Sequence, residues 1–181
     1  TSKFLFLMML VIATVSFVGC GPDDESVVQP STNYEHSGFV STDETWDANG
    51  IHILKDRVIV QAGVILTIEP GTIIKGEVGI GPNASVLVVA RGATINAEGT
   101  AAKPIIFTSV ADEIALGQKV GPNLNIETDK GFWGGVIILG NAPVSPKTGT
   151  TEQVEGIPAD VIEGNYGGDD AADNSGVFTY V

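Results

Sequence analysis

Two stretches of this chain carry the same pattern. Residues 58–70, VIVQAGVILTIEP, and 87–99, LVVARGATINAEG, pair Val58 with Leu87, Val60 with Val89, Gly63 with Gly92, Leu66 with Ile95 and Glu69 with Glu98, each pair 29 positions apart. Apolar residues align by chance in any β-rich chain. A glycine and a glutamate kept at the same offset are harder to obtain that way. A period of this size marks a solenoid, in which one repeat cannot bury its own apolar face and must stack on the next.

The runs themselves are strand-like. β-Branched and aliphatic residues cluster at 51–54, 58–61, 64–68, 72–75, 86–90, 93–97 and 105–109, and no stretch beyond the N-terminal segment sustains a 3.6-residue apolar period with caps. The fold class is therefore all-β. Corners are short: Ala62-Gly63, Pro70-Gly71 and Arg91-Gly92 separate successive runs. Such corners suit a solenoid, but a two-residue turn also closes a hairpin, so a β-sandwich is the alternative. Trp46, ahead of the first run, reads as a buried aromatic.

The first twenty residues differ in kind. TSKFLFLMMLVIATVSFVGC has one charge, Lys3, an apolar run from Phe4 to Val18, and then Gly19-Cys20. The run falls short of the ~20 residues that span a bilayer and matches the core of a secretory signal. Cys20 is the only cysteine, so no disulfide within the chain can use it. Phe17-Val18-Gly19-Cys20 resembles a bacterial lipobox, with Phe17 where leucine is usual. That resemblance implies acylation of Cys20 after removal of residues 1–19, and a membrane tether rather than a span. The expected organisation is a lipoprotein signal at 1–19, a lipidated cysteine with an acidic linker at 20–45, and a β-helix domain from 46 to 181.

Formal net charge is −13, and all 22 acidic residues follow Cys20. Nucleic-acid affinity rests on clustered lysine and arginine, so nucleic acid is excluded as an expected partner.

Four blocks carry a wider resemblance: VIVQAGVILTIEPGTIIKG, VLVVARGATINAEGTAAKPIIFTS, GFWGGVIILGNAPV and YGGDDAADNSGVFTYV. In that order they resemble the right-handed parallel β-helix surface lipoproteins of Bacteroidetes. The resemblance implies a right-handed parallel β-helix, anchorage in the outer membrane and exposure at the cell surface, with further coils after the last block. The acidic residues Asp23, Asp24 and Glu25 resemble the surface-export signal of such lipoproteins. The chain is accordingly expected to be the N-terminal part of its β-helix.

Candidate chemistry is sparse. Asp169, Asp170, Asp173 and Asn174 offer hard oxygen ligands among flexible glycines and are the candidate calcium site, with a hydrogen-bonded turn as the alternative. Phe132 and Trp133 are candidates to stack on a sugar ring, or else to pack a coil corner. Glu69 and Glu98 occupy equivalent repeat positions and read as turn residues, although a carboxylate pair would suit glycoside hydrolysis. Arg57 and Arg91 are too separated for lyase chemistry, and His36 and His52 read as satisfied rather than catalytic histidines. The loops at 109–131 and 142–168 are expected to project from one face and carry binding. The expected role is a non-catalytic scaffold binding glycans or another envelope component. The alternative is a polysaccharide lyase or glycoside hydrolase whose active site lies in coils beyond this chain.

Overall fold

The computed structural model describes residues 32–181 except 126 and 147. The chain winds as a parallel β-helix whose coils stack through three strand ladders. The first coil contains β1 (Thr32–Val40) and β2 (Glu44–Trp46); the second, β3 (Gly50–Val60) and β4 (Ile65–Ile68); the third, β5 (Ile73–Gly76), β6 (Val86–Val89) and β7 (Thr94–Glu98). The fourth holds β8 (Ile106–Ser109), β9 (Val136–Ile138) and, after an excursion with the short antiparallel pair β10 (Glu152–Gln153) and β11 (Asn165–Tyr166), β12 (Gly176–Thr179). Both β1 and β3 bend across two faces. Their first halves join the β5 and β8 ladder, and their second halves join the β6 and β9 ladder. The third face is the ladder β2-β4-β7-β12.

The sequence repeat is the register of this stack. Val58 lies beside Leu87, Val60 beside Val89 and Leu66 beside Ile95, while the Gly63 amide donates to the Gly92 carbonyl at 2.8 Å. Equivalent residues therefore form columns. Leu54, Val58, Leu66, Ile74, Leu87 and Ile95 fill a continuous lumen, each worth roughly 1.5–3 kcal/mol of burial. The corners between them are β-turns closed by Val64 on Gln61, Thr72 on Glu69 and Ala93 on Ala90. Gly63, Gly71 and Gly92 sit third in these turns with φ of 83°, 90° and 82°, the left-handed conformation that a type II turn demands there.

Two sequence expectations change. The coil already includes Thr32–Val40, ahead of residue 46, so the segment TNYEHSGFV is a strand and not part of a linker. Its polar look follows from its place: most of its residues are exposed, and its parallel pairing with β3 holds it. The runs at 51–54 and 58–61 are one strand, β3, bent at Asp56, which adopts φ 53°.

Candidate functional site

The large loops do not simply project; each folds back on an outer sheet face. Residues after β8 bring Ile114 and Leu116 onto the outward column Ile51, Ile73 and Ile106. Lys75 points out of the same face and is buried, 8% exposed. Its Nζ donates to the carbonyls of Asp112 at 2.7 Å and Ile114 at 2.9 Å, and burial lowers its pKa against the opposing pull of Asp112. Thr108 Oγ1 adds a hydrogen bond to Asp112 Oδ2 at 2.8 Å. The second excursion lays Ile157, Val154, Val161 and Tyr166 over Ile59, Val88 and Ile137 on the next face. Arg91 Nη1 ties that excursion down by donating to the Gly167 carbonyl.

Among the described residues the third face has no such cover. Thr45, Thr67, Asn96 and Val177 follow one another in register across β2, β4, β7 and β12, with Ile65 beside Thr94 in the neighbouring column. All are exposed or half-buried. Glu69 and Glu98, next along the same strands, are both exposed, which places the two equivalent glutamates at one corner as their spacing predicts. This face presents hydroxyl, amide and carboxylate groups, with the exposed Ile65 and Val177 among them, on strands about 4.8 Å apart.

Of the two aromatic candidates, Trp133 goes to the inside. Trp133 packs against the lumen core beside Phe107, with ring centroids 6.5 Å apart, and Phe107 in turn stacks on Phe178 at 5.9 Å. These rings fill the lumen in the fourth coil. Phe132 is half-buried, and its carbonyl accepts the Gly79 amide at 2.8 Å. In the 169–174 segment, the side-chain oxygens of Asp170 and Asn174 serve local turns. Asp170 Oδ1 accepts from the Ala172 amide and Asn174 Oδ1 from the Gly176 amide. Asp173 Oδ1 accepts from Asn141 Nδ2 at 3.2 Å, while Asp169 is exposed. Among the described residues, no group of three or more His, Cys, Asp or Glu is placed to hold a metal ion. Cys20 lies outside the described residues.

One cluster had no sequence signal. At the β1 end of the lumen, Tyr34, His36, Trp46 and His52 stack on one another, His36 against Trp46 at 4.2 Å and Trp46 against His52 at 5.3 Å. Together with Glu44 and Asp47 they line a cavity of about 270 Å³. His36 Nε2 and His52 Nδ1 are 2.9 Å apart, and His52 Nε2 lies 3.0 Å from the Asp47 carbonyl. A carbonyl only accepts, so His52 carries its proton on Nε2, and His36 Nε2 donates to the free Nδ1. Burial pushes the His36 pKa down to about 4, helped by His52 and opposed by Glu44. Burial also lowers that of His52, against the Asp47 hydrogen bond and the Asp47 and Glu44 charges. Histidines in neighbouring coils meet only if the corner between them has the right length, which no motif records.

Among known families, the one described as a pectate-lyase like beta helix domain matches residues 38–181. No curated protein and no solved structure gives a significant match.

Proposed function

We propose a function from one premise: the chain belongs to the family of pectate-lyase-like β-helix domains. In this reading it is a lipid-anchored envelope protein, tethered through Cys20 to the outer membrane and displayed at the cell surface. Its β-helix is a rigid, non-catalytic scaffold that binds glycans through the outer face of β2, β4, β7 and β12. The observation that carries it is the contrast between faces. Two are covered by the chain's own loops, whereas on the third, among the described residues, Thr45, Thr67 and Asn96 stand in register and Thr94 and Glu98 flank Asn96 along β7. Hydroxyls and amides repeated at a fixed strand spacing suit a polymer that carries hydroxyls along its length. Binding rather than cleavage is supported by the composition of this face. Lyase chemistry needs a positive charge on the substrate carboxylate, and β2, β4, β7 and β12 carry no lysine or arginine.

The test is retention on immobilised cell-wall polysaccharides, with the polymer's chain length measured before and after. Retention without shortening is expected, and it should be lost in Thr67→Arg and Asn96→Arg at unchanged thermal stability. Depolymerisation would replace this reading with the lyase or hydrolase alternative. No retention on any polymer would leave a structural stalk.

A further inference from the structure

Both described ends of the lumen are filled with rings, but only one set titrates. In the fourth coil the rings are Phe107, Trp133 and Phe178; in the first two they include His36 and His52. The two imidazoles form a directed chain, from His36 Nε2–H to His52 Nδ1 and from His52 Nε2–H to the Asp47 carbonyl. A second proton on His52 has one place to go, Nδ1, and the His36 N–H already points there. A proton on His36 would create an imidazolium wedged half-buried against Trp46. One such proton leaves the chain intact, because His36 protonated at Nδ1 still donates from Nε2; with both rings protonated, two N–H groups face each other across 2.9 Å and the contact is lost.

Few groups face this pair that could compensate a charge. Within β1 the nearest titratable neighbour is Tyr34; Glu35 pairs instead with Lys55 at 2.8 Å. From β2 comes Glu44, which accepts the Trp46 Nε1–H at 2.9 Å. The β2–β3 turn supplies Asp47, whose carboxylate is engaged by the Asn49 amide and side chain. Along β3 and β5, His52 has the apolar Ile74 as its lateral partner. Among the described residues β1 pairs with β3 alone, so what the imidazole chain holds in place is one strand.

We propose that the His36–His52 pair is an acid-operated latch: when both rings protonate, the first half of β1 leaves β3, opening this end of the lumen and freeing the edge of residues 50–54. The sign follows from linkage. Both folded-state pKa values lie below the ordinary histidine value of 6.5, so the open chain binds more protons than the closed one. The latch contributes its full stability above pH 6.5 and loses it as the pH falls toward about 4, the lowered value of His36.

The chain has two histidines, so imidazole NMR signals of the full protein can be followed without ambiguity, alongside hydrogen exchange of the β1 amides corrected for intrinsic rates. Both imidazoles should titrate below 6.5. Protection over 32–36 should fall at least about tenfold between pH 6.5 and 4, the effect of one unit of linkage, while β6 stays protected. In His36→Gln/His52→Gln, which keeps amide donors and removes both titrations, that pH dependence should disappear. An imidazole titrating at its ordinary value with β1 closed would overturn the latch, as would persistence of the opening in the double variant. If the double variant does not fold, the wild-type titration still decides.

Discussion

Gly76 shows how much a single residue can be bound by a neighbour far along the chain. A Cβ built there would lie 2.6 Å from the Trp133 ring, and Trp133 is braced by Phe107. Gly76→Ala is expected to force the indole outward and cost about 1–3 kcal/mol, the usual penalty of overpacking a filled core. Chemical denaturation monitored by tryptophan fluorescence checks it; an unshifted midpoint would mean the ring is loosely held. Trp133 was legible as an aromatic among glycines, but not as a lumen residue. The glycine it needs lies a coil away and has no sequence link to it. His36 and His52 are the same case, each ordinary alone and informative only as a pair.

At the scale of the element, legibility followed burial. The runs at 64–68, 72–75, 86–90, 93–97 and 105–109 are strands within a residue or so of those bounds, because strands of the inner coils are covered by neighbours and read as apolar runs. β1 was missed because its outer side chains are exposed, leaving TNYEHSGFV without a pattern. The corners were legible for a conformational reason that can be tested. Gly63 has φ 83°, and a methyl group added there would have nothing within 4 Å, so Gly63→Ala meets no steric obstacle and isolates the cost of a left-handed alanine. That cost is expected to be about 1–2 kcal/mol, with Gly63→Asn losing less. Equal melting temperatures for the three proteins would show that the turn relaxes to another type.

For the whole molecule, the central prediction concerns attachment. Cys20→Ser is expected to move the protein from the membrane fraction to the soluble one, because the proposed tether is its acylated sulfur; an unchanged membrane fraction would remove the lipoprotein reading. Among the described residues no helix is long and apolar enough to cross a bilayer. The 29-residue repeat made the register between stacked coils legible in the sequence, while the choice of a parallel stack over a sandwich rested on the order of the four blocks. In-register coils require equivalent residues at equivalent places, and the corners from β3 to β4 and from β6 to β7 are of equal length, so one offset serves both ladders. Only the tertiary structure decided which faces are covered, where the rings gather and which face stays open. Those outcomes depend on loops of unequal length folding back across coils, and a loop's docking partner is chosen by the surface it meets rather than by its own pattern.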